Sequence, residues 1–128
     1  MVTVDDVAGM ALGLPEAAEV EHHGHRTWSV AGKGFACERP LSKADIKRFG
    51  DALPPDGPIL AVKVDDLAEK EAVLAANPQA FFTIPHFDGY PAVLVHLNRV
   101  TESALREALV DGWLASAPPR LTTAFLER

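Results

Sequence analysis

The sequence predicts an α+β domain, a single antiparallel β-sheet with helices packed on one face, and three observations carry that reading. Apolar or alternating runs of strand length recur at 19–23, 26–30, 35–39, 59–64, 81–84 and 92–97, the first three separated by tight-turn residues. Helical periodicity is grouped at the two ends and in two interior segments, without the regular strand-helix alternation of a parallel sheet. The length of 128 residues suits one domain, 1–128, that buries roughly two thirds of its unfolded surface without disulfide support.

Thr3 is placed to cap a first helix whose apolar positions Val7, Met10, Ala11 and Leu14 follow helical spacing, with Asp5 and Asp6 in its positive first turn. Gly13-Leu14-Pro15 ends it. Residues 19–39 read as a three-stranded meander, turning at His22-His23-Gly24-His25 and again at Ala31-Gly32-Lys33-Gly34, with Arg26, Trp28 and Val30 on one face of the middle strand. Ser42, followed by Asp45, opens a second helix with Ile46, Phe49 and Leu53 as its buried stripe and Gly50 as its weak point. Pro54-Pro55-Asp56-Gly57-Pro58 is a rigid turn into the strand 59–64. Asp65 or Asp66 caps a third helix, running to Ala76 with Leu67, Ala68, Glu71 and Leu74 at helical spacing. Pro78 ends it, Phe81 to Ile84 makes a strand, and His86-Phe87-Asp88-Gly89-Tyr90-Pro91 turns into the apolar run 92–97. Thr101 caps the last helix, where Leu105, Ala108, Leu109 and Trp113 mark the core face, Trp113 expected against 92–97, until Pro118-Pro119. The sequence leaves open the form of the apolar tail 121–128.

The one cysteine, Cys37, excludes an internal disulfide and makes the reducing cytoplasm the expected compartment. The first residues lack a basic, apolar leader, and no run approaches membrane-span length. Net charge is −6, which opposes polyanion binding by the molecule as a whole. The average hides an asymmetry: segment 26–48 carries Arg26, Lys33, Arg39, Lys43, Lys47 and Arg48 against Glu38 and Asp45, a balance of +4, so the remainder sums to −10. A solvated face is the ordinary meaning of such a cluster.

Three features could carry chemistry. His22, His23 and His25 raise the local density of imidazole, yet adjacent strand residues point to opposite faces and no thiolate or carboxylate accompanies them at ligand spacing, so no metal or other cofactor is expected. Cys37 lies on a strand without a helix N-terminus or base to activate it and reads as a structural thiol. The turn 86–90 gathers an imidazole, a carboxylate and a phenol, too little for catalysis, and no phosphate loop, nucleophile elbow or dinucleotide fingerprint is present. An enzyme is therefore not expected.

The stretches HHGHRTWSVAGKGFACE at 22–38, NPQAFF at 77–82, IPHFDGYPAVLVHL at 84–97 and WLASAPPRL at 113–121 occur in this order and together resemble the MmcQ/YjbR-like proteins. The resemblance covers nearly the whole chain and implies a CyaY-like fold with a double-wing arrangement and, on that basis, DNA binding. Relative to that pattern, Arg26 stands where proline is common, Arg120 is the lone basic residue where a cluster is expected after the last helix, and 42–58 adds a helix.

Two function classes follow. In the first, duplex DNA is held by weak, mainly sequence-independent phosphate contacts from Arg26, Lys33, Arg39, Lys43, Lys47 and Arg48. In the second, a small ligand or a protein partner meets a surface formed by Trp28, His86, Phe87 and Tyr90.

Overall fold

The computed structural model describes residues 2–52, 54–55 and 57–127. Among them the chain forms α1 (Val4–Leu12), β1 (Ala17–His22), β2 (His25–Val30), β3 (Lys33–Glu38), α2 (Lys43–Arg48), β4 (Ile59–Lys63), α3 (Leu67–Ala76), β5 (Phe81–Phe82), a 3-10 turn (Pro85–Phe87), β6 (Ala92–His96), α4 (Glu102–Ser116) and α5 (Pro119–Leu126). The strands make one antiparallel sheet in the order β1-β2-β3-β4-β6-β5. The predicted α+β class and its single sheet are what the chain adopts.

Local chemistry explains the first half of the chain. Thr3 and Asp6 complete a reciprocal capping box at the start of α1. The two hairpins of the meander turn on His23-Gly24 and Ala31-Gly32, all four residues at positive φ, the twist-matched geometry of two-residue β-hairpin loops. The ladder shifts by one residue after Trp28, so Phe35 is inserted into β3 and both Phe35 and Ala36 join the same core.

That core lies between the sheet and the helices. Trp28, Val30, Phe35, Leu60, Val62, Val93 and Val95 meet Val7 and Ala11 of α1 and Leu105, Leu109 and Trp113 of α4. The alternate residues of β4 and β6, Ile59, Ala61, Ala92 and Leu94, form a second cluster on the opposite side with Ile84 and Phe87, closed by Leu41 and Phe49. Strands buried on both faces read as continuous apolar runs, which is how 59–62 and 92–95 read.

Several expectations change. The second helix stops at Arg48 because Gly50 takes φ +59°, a left-handed exit that favours glycine. Its buried residue is Asp45; Ile46 is exposed, and Leu53 lies outside the described residues. In α3 the expected stripe holds only at Leu74, which packs on the core: Leu67, Ala68 and Glu71 are exposed and Lys70 is buried, because its ammonium donates to the carbonyls of Phe87 (2.7 Å) and Tyr90 (2.9 Å). A buried lysine is tolerated when its charge is met by such acceptors. The strand at 81 shortens to two residues, since Ile84 already leads into the 3-10 turn. The tail is helical: Pro119 occupies the first turn of α5, where a missing N–H costs nothing, and Phe125 packs 5.0 Å from Trp113.

Helix α4 packs on β3 and β4 rather than chiefly on the strand 92–97. It approaches closely at Gly112, where a Cβ would stand 3.0 Å from Val62 Cγ1, 3.1 Å from the Lys63 carbonyl oxygen and 3.2 Å from that of Phe35. Two of these neighbours are backbone and cannot rotate away. Gly112→Ala is therefore expected to destabilise by about 1–2 kcal/mol in denaturant titration, overpacking outweighing the roughly 1 kcal/mol that alanine gains in helix propensity. A stabilised variant would show that the helix can slide outward without cost.

Candidate functional site

The two sides of the sheet differ in side-chain size and in charge. On β2 and β3 the large residues Trp28, Val30 and Phe35 point to the helices, while Thr27, Ser29 and Cys37 point away. The same division on β4 sets Leu60 and Val62 against Ala61 and Lys63. Because α2 and the 3-10 turn cover only the β4-β6 half of this second side, the small residues of β1 to β4 leave a concavity of about 520 Å³. Val20, Thr27, Ser29, Cys37, Ala61 and Lys63 line it, with Tyr90 at its wall.

Arg26 lies on the helix side. Its guanidinium donates from Nε and Nη2 to the two Glu19 carboxylate oxygens, each at 3.0 Å, and from Nη1 to Asp5 Oδ1 at 2.9 Å, and stacks over Trp28. These hydrogen bonds, Glu19 first and then Asp5, raise its pKa further, while the arginine lowers that of Glu19. The Arg26 side chain thus holds α1 to β1 and β2, each of its three guanidinium nitrogens donating to a carboxylate of the fold. Trp28, expected on an interaction surface, is instead fully buried, its indole Nε1 donating to Glu19 Oε1 at 2.9 Å. Aromatic bulk drove it inward once its single polar atom found an acceptor.

Arg39 and the α2 cations sit on the other side. Arg39 donates to the Pro40 carbonyl and to Asp45 Oδ2 at 3.2 Å, and its guanidinium lies over the Phe87 ring. Asp45 also accepts from the Ser42 amide at 2.9 Å. Burial pushes the Asp45 carboxyl up, but the Ser42 hydrogen bonds and the Arg39 charge outweigh it, holding it below the ordinary carboxylate range. Lys43, Lys47 and Arg48 are exposed on the outer surface of α2, Arg48 at 3.9 Å from Asp45 Oδ1. Lys33 stands at the tip of the second hairpin, paired in register with Val30. Among the described residues Lys33, Lys43 and Lys47 make no ion pair.

At the turn 85–90, His86 and Tyr90 are exposed and Phe87 is buried beneath them, edge-on to Tyr90 at 5.6 Å. Phe87 anchors the turn and offers little accessible surface. The carbonyls held by Lys70 fix the same turn from below, and burial pushes the Lys70 ammonium pKa down. Lys63, which no sequence signal singled out, lays its ammonium 4.5 Å from the centre of the Tyr90 ring. The alternation that placed Trp28 inward could have flagged Thr27 and Ser29, but the contact between Lys63 and Tyr90 joins residues far apart in the chain.

His22, His23 and His25 occupy the first hairpin, with the His22 and His23 rings 4.2 Å apart, edge to face. Among the described residues no group of three or more His, Cys, Asp or Glu side chains is placed to hold a metal ion. Burial pushes the Cys37 thiol pKa up, away from the reactive thiolate. No helix is long and apolar enough to cross a membrane among the described residues.

Uncharacterized protein Rv2570 of Mycobacterium tuberculosis and uncharacterized protein Mb2600 of Mycobacterium bovis are each 46% identical to the chain over 129 aligned residues, covering 98% of it and 97% of their own length. The crystal structure of Deinococcus radiodurans protein DR2400, a DUF419 domain, superposes with a TM-score of 0.63 at 26% identity, covering 89% of this chain and 78% of that one. The model of the YjbR family matches residues 12–115, from the end of α1 to the end of α4, so the chain belongs to the YjbR family.

Proposed function

We propose that this chain is a non-enzymatic cytoplasmic binding protein that engages duplex DNA through weak, mainly sequence-independent phosphate contacts on the side of the sheet away from α1 and α4. The division of charge across the sheet carries this reading. Arg39, Lys43, Lys47, Arg48 and Lys63 share the side closed by Leu41 and Phe49, with Lys33 at the hairpin tip beside it; Asp45 meets Arg39 and Arg48, which leaves Lys33, Lys43, Lys47 and Lys63 without an ion pair among the described residues, and the concavity there has no carboxylate in its lining. Arg26, engaged by Glu19 and Asp5, is not among the phosphate contacts in this reading.

Salt dependence tests it. With about four phosphates engaged, log affinity should fall against log salt with a slope near −3.5, and Lys43→Ala and Lys47→Ala should each reduce that slope by about one. Arg26→Ala should leave the slope unchanged. Fluorescence anisotropy on a short duplex reads all three, and no binding at about 50 mM salt ends the DNA reading.

A second reading, a small-ligand or protein-interaction module at the turn 86–90, is favoured by the concavity beside Tyr90. His86 and Tyr90 supply its exposed groups, Phe87 supports them from below, and Trp28 has no part in it.

A further inference from the structure

We infer that the concavity on the open side of the sheet is a binding site for a small amphipathic monocarboxylate, with its apolar body against β1 to β4 and its carboxylate at Lys63. The inference rests on the second reading above and names the ligand class and the atoms that would recognise it; DNA binding by the α2 cations stands or falls separately.

The shape comes from side-chain size. Outward positions on a half-open sheet are ordinarily filled by long polar residues, yet here they are Thr27, Ser29, Gly34, Cys37 and Ala61. Their backbones pair as neighbours, Ser29 with Gly34 and Cys37 with both Thr27 and Ala61, so the small side chains form one continuous floor. Val20, 48% exposed on the edge strand, extends that floor as unburied apolar surface. The volume of about 520 Å³ falls in the range of small-molecule sites.

The polar groups determine the charge. Lys63 makes no ion pair among the described residues; its ammonium is held over the Tyr90 ring, fixed at the rim with N–H donors to spare. The Ser29 hydroxyl makes no hydrogen bond to another described residue, and that of Thr27 makes only a long one, 3.4 Å, to the His25 carbonyl. His22 stands at the opposite rim. The lining therefore offers one cation, hydroxyls and an imidazole, with no carboxylate, in a chain whose net charge is −6. An anion is the complement, and a monoanion with an apolar body matches one lysine above an apolar floor.

The probe is octanoate, titrated into the uniformly nitrogen-15-labelled full chain and followed by amide chemical shifts, with octanamide as its uncharged counterpart. Saturable shifts confined to the amides of Thr27, Ser29, Gly34, Ala61 and Lys63 are expected, with octanamide binding about tenfold more weakly. Lys63→Met should lower octanoate affinity to the octanamide level and leave octanamide unchanged, while the double variant Lys43→Ala/Lys47→Ala should bind octanoate as the parent does. Equal affinities for the two probes, shifts on another face, or no saturable binding would overturn the inference. The comparison of probes on the parent chain decides the matter even if Lys63→Met fails to fold. No saturable octanoate binding by the parent chain, with the expected DNA salt slope, would end only this inference, and octanoate binding by a parent chain that binds no duplex would end only the DNA reading.

Discussion

Trp113→Ala is expected to lower the free energy of unfolding by about 3–5 kcal/mol, the range for truncating a large aromatic in a core. Trp113 is fully buried in α4 and joins parts of the chain that are remote in sequence. Its indole Nε1 donates to the Pro15 carbonyl at 3.0 Å, just beyond α1, and its ring packs against Phe125 of α5. The substitution thus opens a cavity, leaves a carbonyl without its donor and removes one of the contacts that dock the tail, beside Leu121 and the Arg120–Glu16 pair. Trp113→Phe keeps much of the volume and should cost less, about 1–2 kcal/mol for the lost hydrogen bond and the incomplete fill. Denaturant titration with an unchanged m-value tests both, and a loss below about 1 kcal/mol for alanine would show that the helices repack around the gap.

Asp45→Ala is expected to cost about 2–4 kcal/mol, the sum of a helix cap and a charge-assisted hydrogen bond. The Asp45 side chain is 2% exposed, accepts from the Ser42 amide and from Arg39, and so ties the start of α2 to the end of β3. Without it Arg39 loses its carboxylate partner, and the lid that Leu41 and Phe49 form over Ile59 and Ala61 loosens. Asp45→Asn keeps an acceptor but not the charge and should cost roughly half as much.

The pH dependence follows from the sign of the shift. The folded-state pKa of Asp45 lies below its ordinary value of 3.8, so the carboxylate stabilises the fold fully above that value and loses its contribution as pH falls through the depressed one. The gap between the parent and Asp45→Asn should therefore be widest near neutral pH and close in strong acid. A gap as large at about pH 3 as at about pH 7 would show that geometry, not charge, is the source.

Much of this architecture is legible in local sequence. Capping by Thr3, Ser42, Asp66 and Thr101, the two Xaa-Gly hairpin turns and the alternation around Trp28 are interactions within a few residues, so the chain declares them wherever it folds. The family resemblance, carried by short motifs in order, holds for the same reason and is met by the match over 12–115. What local sequence could not declare is where a long polar side chain finds its partner. Nothing local marks Lys70 as buried; the carbonyls of the turn 85–90 hold it there, and Asp45 reads as a helix cap until Arg39 comes alongside. Arg26 reads as a free cation until Glu19 and Asp5 close on it. Composition counts charges, whereas the availability of a charge depends on how the fold pairs it, and pairing is a tertiary property. The same holds for the concavity. Small residues on one face of β2 to β4 are visible in the sequence, but whether anything fills the space above them is decided by tertiary packing: Leu41 and Phe49 close over Ile59, Ala61, Ala92 and Leu94, and the neighbouring surface of β1 to β4 is left open.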